Sequence, residues 1–546
     1  MSSCAQVLAD TLWDAGVRRL FGLPGGEILD FIDAARGLGM EFVLTRHEAT
    51  ASFMADVTGQ INRRPGVCVA TLGPGAVNMI LGVANAYLDR SPLLAITAST
   101  AQSSSPYATH QNLDLNAVYQ PFTKMTVMLD GENTAAKVRC AYRTSIELPM
   151  GPVHIALPSD VASSKDRETQ DPTTVSLDVE LPTTPSSELV MQMGQVIEKA
   201  IRPIIILGHG LEADLTAQPI QEFVEKLAVP TFVTPKAKGI LSEDNPWFFG
   251  VCAGVAADSV IVNFFEKSDL LVAVGFDPVE SASLWHHTMK LVSISPVSIA
   301  AGEYRPFLEL VGDVGKTLAV LCEENLGPFG WPKDQLEAYH QMMEQTLRPT
   351  ERSGPGLSPY EVTLRLRELF PRDTIFTTDV GSIKFVTSQC WKVFESQSFF
   401  QSNGLSSMSY GFPAAMAAKL IFPERQVLCT VGDGGFAMTF ADIETCLRLE
   451  IDFVTVVYND SSLSLISAAQ QKKGYPNFGV DFGPVDFAAV CRGLGAWTRK
   501  VETMEELDEA VRTGLNVGRP AVIDVLIDPT EYRAHVAPLD KGLLER

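Results

Sequence analysis

A chain of 546 residues is too long for one hydrophobic core, and at the usual domain size of about 100–200 residues it divides into three domains. Its 46% hydrophobic and 20% charged residues are the make-up of an ordinary globular protein. Forty-three basic against sixty-five acidic side chains leave a net charge of −22, which repels nucleic acid and anionic membranes, so neither is expected as a partner.

The first residues, MSSCAQVLADTLWDAGVRRLFG, read as an amphipathic helix running into a strand. They lack the basic start and apolar core of a signal peptide, and no apolar run nears the roughly 18 residues that span a membrane, so a cytoplasmic location is expected. Leu23-Pro24-Gly25-Gly26 makes a glycine turn. The short apolar strands EFVLT, VCVAT and LLAIT then alternate with helical periodicity. Arg46-His47-Glu48 follows the first, Thr71-Leu72-Gly73-Pro74-Gly75 the second, and His110-Gln111-Asn112-Leu113-Asp114 comes after the third. Residues 162–188, polar and rich in Thr, Ser and Pro, read as a linker. PIIILG, PTFVT and DLLVAVG repeat the strand pattern, and His286-His287 reads as a surface or packing pair. Residues 323–358 carry GPFGWP, an acidic helix-like segment and RPTERSGPGLS, a second connection. TIFTTD, QVLCTVGD, DFVTVVYND and AVIDVLI are the strands of a third block. The expected domains are 1–163, 188–323 and 357–546. The nine cysteines, Cys4 to Cys491, contain no Cys-x-x-Cys pair and read as reduced thiols. Apolar strands alternating with helices imply an α/β chain of three doubly wound parallel sheets, with ligands held outside the C-terminal strand ends.

The third block carries the most specific signal. QVLCTV ends in Gly432-Asp433-Gly434-Gly435 and a helical stretch, FAMTFADIETCLRLE; DFVTVVY ends in Asn459-Asp460-Ser461-Ser462. Asp433 and Asp460 are 27 positions apart, one strand–helix–strand unit, and a right-handed crossover brings both carboxylates to the same edge of two parallel strands. The glycines let a ligand approach the backbone, and amides at the helix start would face an anion. Two hard oxygen ligands beside a phosphate cradle describe a Mg²⁺–diphosphate site. The bland alternative, a strand-to-helix turn with a capping Asp, does not account for the second acidic strand end.

GDGG followed by ND at this spacing resembles the metal–diphosphate motif of thiamine-diphosphate-dependent enzymes, and the resemblance spans nearly the whole chain. It implies a pyrimidine-binding, a central and a diphosphate-binding domain. It assigns Mg²⁺ to Asp433, Asp460 and the carbonyl of Ser462, with Asn459 a weaker candidate, since many members have Asn at the Asp460 position. Gly432, Gly434, Gly435, Ser464 and Leu465 would lie along the cofactor, as would Gly73 and the run Val380-Gly381-Ser382. In Asn403-Gly404-Leu405-Ser406-Ser407-Met408, Met408 matches the side chain that wedges between the two cofactor rings. Ser406, often Gly in the family, would offer its carbonyl. Glu48, in the setting RHE, matches the glutamate that hydrogen-bonds the aminopyrimidine ring and favours its imino form, which takes the thiazolium proton. Without the resemblance it would read as an exposed helix-start Glu favoured by the helix dipole. Gly25 and Gly26 fall at a turn that relatives place beside the reacting centre.

His110-Gln111 with Pro121-Phe122-Thr123-Lys124 resembles a run of acetolactate synthases, which makes Gln111 the candidate for orienting a 2-oxo acid. Val274 to Glu280 (VGFDPVE) and Phe307 to Asp313 (FLELVGD) are similar to the catabolic, flavin-free synthases and argue against FAD. One departure stands out: those synthases continue Tyr-Asp-Met-Val after the metal loop, where this chain has Leu463-Ser464-Leu465-Ile466. A substrate pocket of His110, Gln111, Leu463, Leu465, Ile466 and Ala469 is therefore expected to be more apolar and roomier. The implied reaction is decarboxylation of a pyruvate-like 2-oxo acid with ligation to a second carbonyl, in a homodimer or dimer of dimers with the site at the subunit interface. A non-ligating 2-oxo acid decarboxylase or aldehyde lyase, and a catalytically silent cofactor-binding homologue, remain the alternatives.

Overall fold

The structure, a computed structural model, describes residues 2–180, 182–211, 213–252, 257–280, 290–298, 304–348 and 354–532; the His286–His287 pair lies outside them. Within these residues the chain forms three six-stranded parallel sheets flanked by helices. The first holds β1 (Arg19–Gly22), β2 (Glu41–Leu44), β3 (Gly66–Ala70), β4 (Leu93–Ser99), β5 (Met125–Met128) and β6 (Pro152–Pro158), in the order β2-β1-β3-β4-β6-β5. The second holds β7 (Pro203–Leu207), β8 (Thr231–Val233), β9 (Phe248–Val251), β10 (Leu270–Val274), β11 (Leu291–Ser295) and β12 (Leu308–Val311), ordered β12-β11-β10-β7-β8-β9. The third holds β13 (Ile375–Thr378), β14 (Phe399–Gln401), β15 (Val427–Gly432), β16 (Val454–Asn459), β17 (Trp497–Val501) and β18 (Ala521–Leu526), ordered β14-β13-β15-β16-β18-β17. Central strands such as β3, β7, β10 and β16 are buried at every position, which is why they read as unbroken apolar runs rather than alternating ones.

The chain packs into two compact units. One contains the residues up to Glu180 with Gly404–Pro423 and Thr439–Ile451; the other contains the second and third sheets. Two segments of the third sequence block thus belong to the first unit. The helix Gly411–Ile421 (GFPAAMAAKLI) is apolar nearly all round, so it must be enclosed. It packs on the helix Glu48–Asn62, where Phe53 and Tyr410 meet edge to face at 5.5 Å. The Gly404 N–H donates to Asp89 Oδ1 at 2.8 Å, and a Cβ on Gly404 would stand 2.6 Å from Leu88 Cβ. In the second unit, the helix Lys333–Leu347 lies inside the stretch read as a connection. It buries Tyr339 and Met343 in the central core, and the Tyr339 hydroxyl donates to Phe249 O at 2.5 Å.

Candidate cofactor and metal site

In the first unit, β2 runs into Thr45–His47 and then the helix Glu48–Asn62, whose first turn is capped by His47 Nδ1 accepting from Ala49 N at 3.1 Å. Glu48 is buried rather than lying on an exposed helix start. Asn78, on the first turns of the helix Pro74–Leu88, donates its amide to Glu48 Oε2 at 3.0 Å. The other oxygen faces Gly75, where a Cβ would sit 3.2 Å from it. Asp442 braces the approach from Thr439–Ile451. Its carboxylate accepts from Arg46 N and from Thr50 Oγ1, each at 2.8 Å, and burial pushes its pKa up. Gly25 turns against the same place, where a Cβ would lie 2.4 Å from Thr71 Cβ, whereas a Cβ on Gly26 would meet open space. Gly73, at φ +61°, leaves room for Gln111, whose Cβ would be 2.9 Å from an added methyl. His110 and Gln111 are exposed in a loop, Gln111 itself at φ +53°. Ser406, at φ +53°, and Met408 also belong to this unit.

In the second unit, β13, β15 and β16 are neighbours, so their C-terminal ends bring Gly381, Asp433 and Asp460 to one edge of the sheet. Asp433 accepts from Gly434 N at 2.7 Å and from Ser461 N at 2.6 Å; Asp460 accepts from Ser462 N at 3.0 Å and from Ser464 Oγ at 2.6 Å. Burial, with Asp460 beside it, pushes the Asp433 carboxyl up to about 7, and burial pushes Asp460 up to about 6. A cation favours the ionised form of two carboxyls so placed, and with the Ser462 carbonyl they make a hard-oxygen donor set that fits Mg²⁺. The Asn459 Nδ2 amide donates to Asp524 Oδ1 and Val485 O. Gly381, at φ +139°, opens the helix Ser382–Cys390, and a Cβ there would meet open space, as one on Gly432 would. Ser382 Oγ in that first turn is buried without a hydrogen-bond partner, an orphaned donor that fits a diphosphate oxygen. The stretch after Asp433 is not one helix. It breaks into Asp433–Phe436, a 3-10 turn and Ile443–Arg448, so no long helix points its amides from Gly434 and Gly435.

Three models of the thiamine pyrophosphate enzyme family match the chain in order: the N-terminal TPP binding domain over residues 2–118, the central domain over 190–321 and the C-terminal TPP binding domain over 379–525. The chain is a thiamine pyrophosphate enzyme. Among its full-length relatives, an acetolactate synthase of Bacillus subtilis (strain 168) is 28% identical over 96% of this chain and 93% of its own length. The catabolic acetolactate synthase of Raoultella terrigena is 28% identical over 99% of this chain and 97% of its own. A putative thiamine pyrophosphate-containing protein of B. subtilis, YdaP, is 27% identical over 96% of the chain and 92% of its own length.

In this thiamine pyrophosphate enzyme a cavity of about 230 Å³ lies beside the acidic strand end, lined by Asp460, Asp481, Asn477 and Tyr532 among others. The helix Ser464–Lys472 turns Ser464, Ser467, Ala468 and Gln471 toward it, one face at helical spacing. Of the pocket residues expected from sequence, Leu463, Leu465, Ile466 and Ala469 do not line this cavity, and Ile466 is 48% exposed. The helix face that lines this cavity is polar but for Ala468. Asn78, Asp442, Thr71 and Glu27 went unassigned in the sequence. Asn78 carried a signal, as a lone amide among the apolar side chains of GAVNMILGV.

Proposed function

We propose that the chain is a thiamine-diphosphate- and Mg²⁺-dependent enzyme that removes CO₂ from a pyruvate-like 2-oxo acid and joins the remaining acyl unit to a second carbonyl compound, in the manner of acetolactate synthases. The observation that carries this reading is the buried Glu48 carboxyl, with one oxygen taken by the Asn78 amide and the other turned to the space that Gly75 leaves open. A donor on Oε2 leaves Oε1 as the oxygen that holds and hands over a proton. Bound here, thiamine diphosphate supplies the electron sink that lets CO₂ leave. Asp433, Asp460 and the Ser462 carbonyl hold Mg²⁺, Ser382 and the open backbone at Gly381 and Gly432 receive the diphosphate, and Met408 and Ser406 shape the ring end. Gln111 orients the oxo acid.

The central sheet supports a flavin-free enzyme. Its strand order reverses between β7 and β10, the crevice where a dinucleotide would dock. The backbone at those strand ends is tightly joined: Gly208 N donates to Val274 O at 2.9 Å and Gly210 N to Gly275 O at 2.8 Å. A Cβ on Gly208 would lie 2.4 Å from Phe276 Cα. Val77 and Leu81, 44% and 40% exposed on the helix that carries Asn78, support a homodimer or dimer of dimers that covers this face and completes the site. Among the described residues no helix is long and apolar enough to cross a membrane, which fits an enzyme of the cytoplasm.

The test is incubation with thiamine diphosphate, Mg²⁺ and a panel of 2-oxo acids, following CO₂ and identifying products by mass. Ligated hydroxy ketone or hydroxy acid is expected; aldehyde alone would move the enzyme to the non-ligating decarboxylases.

A further inference from the structure

We propose that Glu27 selects the acceptor, and that the second carbonyl compound is an uncharged aldehyde rather than another 2-oxo acid; this rests on the decarboxylating, ligating reading above. Glu27 follows the Gly25-Gly26 turn in a short 3-10 helix, and its Oε2 accepts from Thr71 Oγ1 at 2.8 Å. Thr71 also lies against the space at Gly75, its Cγ2 3.1 Å from where a Cβ would be, with Glu48 Oε1 3.2 Å from the same point. One threonine therefore separates the Glu27 carboxylate from Glu48. Glu27 Oε1 has no protein partner among the described residues, so the group presents an acceptor oxygen and a charge. Gln111, over Gly73, adds only a neutral amide.

Among the described residues no Lys or Arg pairs with Glu27 or Glu48, and Arg46, just before Glu48 in the chain, is engaged by Glu444 at 2.6 Å. The two substrates place different demands on such a site. The donor's carboxylate departs as CO₂ before ligation, whereas a 2-oxo acid acceptor would keep its carboxylate through to the product. A persistent anion facing Glu27 with no counter-ion is disfavoured, since like charges brought together in a partly desolvated site exclude the wrong partner. The overall reaction is R–CO–COO⁻ + R′–CHO + H⁺ → R–CO–CH(OH)–R′ + CO₂. The bond to the carboxylate breaks, its electron pair makes the new bond to the aldehyde carbon, and the aldehyde oxygen takes the proton.

The test offers the holoenzyme pyruvate with an equimolar neutral aldehyde, propanal, at pH 8, and quantifies CO₂, hydroxy ketone and acetolactate by mass. The hydroxy ketone is expected to exceed acetolactate by about tenfold. Glu27→Gln should lower that ratio by about fivefold and Glu27→Lys further, while Glu27→Asp, which keeps the charge, should retain it. A residue that only supported the turn would change the rate and not the ratio. Acetolactate predominating in the unaltered enzyme, or a ratio that does not move in Glu27→Gln and Glu27→Lys, overturns the inference while CO₂ release stands. No CO₂ from any 2-oxo acid overturns the underlying reading and this proposal with it.

Discussion

Replacing Asp433 by Asn should stabilise the apoprotein at pH 8 and abolish its response to Mg²⁺. The pKa of Asp433 is pushed up to about 7 by burial and by Asp460, itself at about 6, against the ordinary 3.8. Between these values the folded apoprotein binds more protons than the unfolded chain. Its stability contribution is therefore whole below about pH 4 and is lost as pH rises through 6 and 7. The distance from 3.8 to about 7, at about 1.36 kcal/mol per pH unit, bounds the cost of an ionised Asp433 at about 4 kcal/mol. The high effective dielectric of real protein interiors brings this to about 1–2 kcal/mol. A chain of several domains has no single two-state melting point, so the assay compares slopes: thermal melts of parent and variant in EDTA at pH 5 and pH 8, then with Mg²⁺ added. At about 2–4 °C per kcal/mol, the parent should lose several degrees more than the variant on going to pH 8, and Mg²⁺ should restore only the parent. Equal pH slopes would refute the buried-carboxylate account, and Mg²⁺ stabilisation persisting in Asp433→Asn would remove Asp433 as a ligand.

Lys238 and Glu243, paired at 2.7 Å with side chains 0% and 4% exposed, tie the central sheet to the third; Lys238 Nζ also donates to Ser388 O at 2.9 Å. Lys238→Met strands a buried carboxylate and should cost about 3–5 kcal/mol in urea denaturation, most of it regained by adding Glu243→Met. Asn78→Leu removes the donor on Glu48 Oε2 and should slow CO₂ release about tenfold with cofactor affinity nearly unchanged, read by single turnover and cofactor titration. Gly73→Ala combines a φ of +61° with a Cβ 2.9 Å from the Gln111 side chain, so kcat/KM for the 2-oxo acid should fall to nearly that of Gln111→Ala.

The strands and the acidic strand ends were legible because they depend on local rules. Buried parallel strands must be apolar, and a right-handed crossover must return Asp460 to the edge that holds Asp433. Partner choice was not legible. GFPAAMAAKLI announces an enclosed helix, yet nothing in it names the Glu48–Asn62 helix as the surface it joins. FAMTFADIETCLRLE reads as one helix, but Asp442 spends its carboxylate on Arg46 N and Thr50, and that tertiary bonding accompanies a break into short pieces. The helix Ser464–Lys472 turns Ser464, Ser467, Ala468 and Gln471 to the cavity beside Asp460, a face rotated from Leu465 and Ile466. Glu27 and Thr71 are 44 positions apart and gain meaning only from the 2.8 Å hydrogen bond that joins them.

The most direct test of the central claim is release of labelled CO₂ from [1-¹³C]pyruvate by the purified protein and by Glu48→Gln, each with and without thiamine diphosphate and Mg²⁺. Release should require both additions and fall by about 10²–10⁴-fold in the variant, which should still bind the cofactor. Equal release from Glu48→Gln, or release without the cofactor, would contradict that claim.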